Sequence, residues 1–164
     1  MKADIELLRA DIRSELEKIA KLNEEFTPFK GTLDLGSGDV SNAEKIMIGY
    51  IMHNFYNGCE NIFRSIARFF ENELDGTAWH RDLLKRMTLE IRGFRPRVIT
   101  DDLYAFLDDF RGFQHKFRHS YSFELDWERE KVVAAKFSSS LEMLRRDVGK
   151  FLENLDMIEE GGDT

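Results

Sequence analysis

Thr100-Asp-Asp-Leu-Tyr-Ala-Phe-Leu-Asp-Asp-Phe110-Arg-Gly-Phe-Gln-His115-Lys-Phe-Arg-His119-Ser-Tyr121 is the stretch from which the fold is read. At about 100° per residue, Leu103, Phe106, Leu107, Phe110, Phe113, Phe117 and Tyr121 fall on one side of a helix. Arg111, His115, Arg118 and His119 occupy a contiguous arc of roughly 100° beside them. Thr100 followed by two acids is a start signal, an N-cap whose neighbours complement the helix dipole. The stretch therefore predicts a helix with an aromatic edge for a core and an Arg/His edge for something anionic. Cations in the last turns also suit the carbonyl end of the dipole, which gives part of that enrichment a structural cause.

The same periodicity extends in both directions. Ile5, Leu8, Ile12, Leu16 and Ile19 make an amphipathic helix over residues 2–26. Thr27 to Val40, with Pro28 and three glycines, reads as a loop. Ser41 and Glu44 form a capping box that opens a second helix, expected to run to Leu74 before Asp75-Gly76. Thr77 caps a shorter third helix with Trp79, Leu83, Leu84 and Met87, broken by Gly93 and Pro96. After a turn at Phe123–Asp126, a last helix from Trp127 to Ile158 carries Val133, Phe137, Leu141, Leu144, Val148, Phe151 and Leu155. Glu159 onward reads as a frayed tail. No repeats and no strand-like alternation appear, so the expected fold is all-α, an antiparallel up-and-down bundle of four to five helices in one domain spanning residues 1–164.

Composition agrees with that class. The chain has 164 residues, 42% hydrophobic and 34% charged, enough for one sizeable core without the bias of a disordered chain. Two prolines favour helices, and fourteen phenylalanines suggest aromatic wedges between them. No run of eighteen apolar residues and no leader pattern is present, so neither a membrane span nor a signal peptide is expected. The single Cys59 cannot form an internal disulfide and fits a cytoplasmic location. A net charge of −7 argues against general affinity for nucleic acid. The cations are clustered, however. Arg81, Lys85, Arg86, Arg92, Arg95 and Arg97 face only two acids within residues 80–97, and no acid falls within 111–119. Such a patch can hold a particular anion or be an ordinary solvated face.

The Arg/His arc has the side-chain types for RNA cleavage without metal. A base removes the 2′-hydroxyl proton, an acid protonates the leaving 5′-oxygen, and cations stabilise the phosphorane. Imidazole serves either proton role near neutral pH, and guanidinium holds phosphate oxygens with a fixed fork. Arg111 and His119 lie about 12 Å apart along the helix axis, too far to act on one atom. Two copies of the helix meeting across a two-fold axis would relieve that distance.

Arg…His-Ser-Tyr on the fourth helix of a small helical protein resembles the HEPN superfamily, specifically HepT-like ribonuclease toxins, whose signature is an Arg, four to six residues, then His-x-Tyr. His119-Ser-Tyr121 fits the second half. Gln114 stands five positions before His119, whereas Arg111 is eight before and Arg118 adjacent. Arg111 is taken as the motif arginine. Tyr56-Asn57-Gly58-Cys59-Glu60-Asn61 on the second helix also resembles such proteins, in which a polar patch faces the motif helix. The resemblance implies a homodimer with a composite site and metal-independent endonuclease activity on RNA. It further implies pairing with a minimal nucleotidyltransferase antitoxin that modifies the motif tyrosine, here Tyr121. Phosphate added there would fill the anion site.

On this reading His119 is the acid–base group, Arg111 with Arg118 holds the scissile phosphate, His115 assists, and Glu60, Asn61 and Gln114 line the site. Each has a plainer alternative. His119 also reads as a cap for helix carbonyls, Arg111 as a partner of Asp108, and Tyr121 as core packing with its hydroxyl at the rim. His115 and His119 have the spacing of zinc ligands, but the adjacent arginines disfavour a cation, and neither metal nor cofactor is expected. His53 and His80 lack such company and read as structural. Cys59 reads as a small buried residue. The rival from another class is a non-catalytic interaction module that binds a nucleotidyltransferase or RNA without cleaving it.

Overall fold

A computed structural model describes residues 2–71 and 79–161. It contains six α-helices among them: α1 (Lys2–Phe26), α2 (Asn42–Glu71), α3 (Trp79–Arg86), α4 (Asp101–His119), α5 (Trp127–Ala134) and α6 (Phe137–Gly161). No strand occurs among the described residues, only an isolated bridge between Ile91 and Arg95. The expected end of α2 near Leu74, the Asp75-Gly76 break and the Thr77 cap lie outside the described residues.

The start signals work as their chemistry requires. Ser41 N–H donates to Glu44 Oε1 at 3.2 Å and Glu44 N–H to Ser41 Oγ at 3.1 Å, closing the capping box of α2. Those bonds hold the Glu44 carboxyl below its ordinary pKa. Thr100 Oγ1 accepts from Leu103 N–H and caps α4. Its own N–H and hydroxyl donate to Asp147 on α6, at 2.8 and 2.9 Å, so the cap also docks one helix on another.

Contacts along the axes establish the antiparallel order. Arg9, near the start of α1, donates to Leu152 O and pairs with Asp156 near the end of α6. Phe26 at the end of α1 meets Phe137 at the start of α6. Ile19 packs on Gly58 and Glu15 accepts from Asn61, so α1 and α2 run oppositely. His53 meets Phe117 and Asn57 meets Gln114, which sets α2 against α4 in the same sense. Thr100 with Asp147, and Asp109 with Lys136, do so for α4 and α6. The result is an up-and-down bundle of α1, α2, α4 and α6.

Its core is aromatic as the phenylalanine content predicts. Phe55 packs edge-on against Phe110 at 5.0 Å and Phe137 at 5.1 Å, and Phe26 meets Phe137 at 5.0 Å. Such pairs add about 0.5–1.5 kcal/mol each beyond buried area. Two glycines permit close approach of helices. A Cβ at Gly58 would meet Ile19 at 2.8 Å, and one at Gly49 would meet Phe117 at 2.8 Å.

Three expectations need correction. The 27–40 segment is not an open loop but is wound into short 3-10 turns over Thr27–Asp34 and Ser37–Asp39. The last helix is two: Ala135 and Lys136 interrupt it, and Lys136 reaches Asp109 on α4. At its far end α6 is bounded at Gly161, and residues 162–164 lie outside the described residues. The basic stretch 80–97 is largely spent internally. Arg95, 1% exposed, donates to the carbonyls of Arg86, Leu89 and Pro96 and to Glu71 at 3.2 Å. Arg86 also binds Glu71, Arg97 pairs with Asp101, and Lys85 covers the Tyr104 ring. This face is a clamp for the segment before α4 more than an anion surface.

Candidate active site on helix α4

Helix α4 turns Leu103, Leu107, Phe110 and Gln114 inward. His115, Lys116, Arg118 and His119 stand exposed beside that face and away from it, and Arg111 is half-buried at the boundary. The His115 and His119 rings lie 4.9 Å apart, edge to face. Among the described residues neither histidine, nor Lys116, nor Arg118 makes an ion pair. Two imidazoles beside free cations can bracket one phosphate.

Arg111 takes up the plainer expectation in part. Its Nε and Nη2 both engage Asp108 Oδ1, at 2.9 and 2.7 Å. Burial works against its charge, but Asp108 more than offsets this and raises the pKa above the ordinary arginine value. With both side chains about a third exposed, that pair is worth about 0–1 kcal/mol, so a phosphate can displace the carboxylate.

Gln114 is 6% exposed and donates through Nε2 to Asn57 Oδ1 on α2. Because that oxygen accepts, Asn57 Nδ2 donates onward to His53 Nε2 at 3.2 Å. A ring nitrogen that accepts is unprotonated, which places the proton of neutral His53 on Nδ1. Burial, and then the charge of Arg118, lower the pKa of His53, in agreement with a neutral ring. The His53 ring also lies 5.5 Å from Phe117 and 6.4 Å from Tyr50. His53, expected to be structural, gains company that its linear neighbours do not show: the relay ties it to α4, some sixty positions away. Its linear neighbourhood carries no signal except Asn57 one turn later. Asn57→Ala is expected to cost about 1–3 kcal/mol, since it strands the buried Gln114 amide. Urea unfolding checks this.

The polar patch on α2 divides. Asn57 faces α4, and the Tyr56 ring is buried with its hydroxyl close enough to Arg111 and Asp108 to feel their charge. Glu60 is buried, 3.9 Å from Arg64 on its own helix. Asn61 turns to Glu15 on α1 and does not join the α4 arc. Cys59 is buried, and desolvation pushes its thiol well up, as fits a packing residue. The His80 side chain lies outside those described.

Tyr121 departs from the core-packing expectation. Helix α4 stops at His119 because Ser120 is extended, with φ −105° and ψ 144°. Tyr121 thus leaves the helical register and is 71% exposed. No group of three or more His, Cys, Asp or Glu suited to a metal ion occurs among the described residues. None of their helices is long and apolar enough to cross a membrane.

The model of one protein family, described as HepT-like protein, matches residues 47–155, more than half of the chain and the whole of α4. Neither the curated proteins nor the solved structures contain a significant match.

Proposed function

Because the chain belongs to the HepT-like family of HEPN-type proteins, we propose that it is a metal-independent RNA endonuclease acting as the toxin of a toxin–antitoxin pair. The observation that carries this reading is the exposed His115–His119 pair, 4.9 Å between rings, on an arc with Arg118 and Lys116. One imidazole takes the 2′-hydroxyl proton as the 2′-oxygen attacks phosphorus. The other gives a proton to the departing 5′-oxygen, leaving a 2′,3′-cyclic phosphate and a 5′-hydroxyl. Arg118 and Arg111 neutralise charge on the phosphorane. No redox or covalent enzyme intermediate is needed.

The composite site belongs to the same proposal. Arg111 and His119 stand eight residues apart, about 12 Å along the axis. A homodimer that apposes two α4 helices brings the arginine of one protomer to the histidine of its partner. The implied antitoxin is a minimal nucleotidyltransferase in the same cytoplasmic compartment. Tyr121, exposed two residues beyond His119, is open to the nucleotide transfer such an enzyme performs. The phosphate so attached would occupy the cationic arc.

A second reading has its own support. Gln114 holds the position five before His119, is buried, and is tied to Asn57, while Arg111 is engaged by Asp108. A chain with that arrangement suits a non-catalytic module that binds RNA or the nucleotidyltransferase. Labelled RNA incubated with the purified protein in EDTA separates the two. Cleavage to cyclic-phosphate ends is expected; binding with the RNA left intact would favour the module.

A further inference from the structure

Tyr121 and Phe123 are 71% and 79% exposed, and their rings lie parallel, 3° apart in plane and 5.4 Å between centroids. Burial does not explain them, for the bundle core closes without either. The turn that carries them is fixed: Glu124 N–H donates to Tyr121 O at 2.9 Å, and the Glu124 carboxylate accepts from Tyr121 N–H at 3.3 Å. The pair follows directly on Lys116, Arg118 and His119, exposed and without ion pairs among the described residues.

We propose that Tyr121 and Phe123 form a stacking platform for an unpaired base of an RNA strand whose phosphates lie on the Lys116, Arg118 and His119 arc. This rests on the ribonuclease reading for the identity of the ligand and adds which form of RNA is taken. Flat apolar faces beside phosphate-binding cations match a nucleotide, which offers an anion and a π-face one step apart. A paired strand cannot use them, because stacking within the duplex covers its base faces. The two rings are already parallel, so little rotamer freedom is lost when a base lies on the outer face of one.

The test uses the full chain and a fluorescein-labelled, uncleavable 2′-O-methyl oligonucleotide, single-stranded or annealed into a duplex. Fluorescence anisotropy should show the native protein preferring the single strand. Phe123→Ala should weaken single-strand binding about 5- to 100-fold, the range that loss of one stacked base gives. Duplex binding should stay unchanged, and Phe123→Trp should restore affinity. Phe123 is exposed, so the Ala variant keeps the native melting temperature. Native affinity for the single strand in Phe123→Ala would overturn the platform. So would unchanged RNA binding with a dimer converted to monomer in sedimentation, which would make the rings a protein contact. Cleavage of ordinary RNA is read separately. Discrimination without cleavage keeps the platform and removes the nuclease, whereas cleavage indifferent to Phe123 does the reverse.

Discussion

His119→Ala is expected to slow RNA cleavage by about 10²–10⁴-fold, the usual contribution of a positioned acid or base. It should do so without moving the melting temperature, because the side chain is exposed and its described contact is the His115 ring. A residue that merely capped helix carbonyls would behave in the opposite way, lowering stability and sparing the rate. Arg118→Ala should reduce kcat less severely and leave the pH profile in place, since a fixed charge donates no proton. Gel-resolved single-turnover rates, with melting curves on the same preparations, distinguish these outcomes. A His119→Ala protein that cleaves at the native rate would remove the histidine from the chemistry.

Glu130→Gln is expected to stabilise the protein by about 2–4 kcal/mol at pH 9 and to change little at pH 5. Glu130, on α5, is 1% exposed, and neither carboxylate oxygen has a hydrogen-bond partner among the described residues. It lies against Gly49 and close to Phe117, whose ring is tilted against that of His53. Burial raises its pKa to about 8, with the Gly49 backbone and Lys45 opposing only in part. The folded protein thus keeps a proton that the unfolded chain releases at its ordinary value of 4.5. Stability from this group is complete below that pH and declines by up to about 1.4 kcal/mol per unit as pH rises toward 8. Glutamine has the shape of the protonated acid and no titration. Urea unfolding at pH 5 and pH 9 reads the difference; parallel loss of stability in both proteins would show that another group sets the slope.

The bundle was legible because its signals are local. Ser41, Glu44 and Thr100 act within three residues of themselves, and apolar periodicity fixes which side of each helix is buried. The interruption at Ala135–Lys136 has no glycine or proline to announce it. It arises where Lys136 reaches across to Asp109 and the Phe106 ring, a tertiary cause. Tyr121 was placed on the apolar side by extending a helix that ends two residues earlier. His115, Arg118 and His119 share an exposed edge that 100° per residue makes legible without knowledge of neighbours, whereas Arg111 is half-buried against Asp108, a contact the arc alone does not announce. The His53–Asn57–Gln114 relay was not legible, because α2 is buried along much of its length and contacts both α1 and α4. Periodicity cannot say which of two helices a polar residue on it will face, and Asn57 and Asn61 chose differently.

The proposed cleavage site is shared between two copies of α4. Arg111→Ala and His119→Ala, each inactive alone, are mixed, dissociated and allowed to reassociate before RNA is added. Random pairing should rebuild one intact site in half of the dimers, returning about a quarter of the native rate. A mixture as silent as its parents, beside an active native protein, would contradict a site assembled from both protomers.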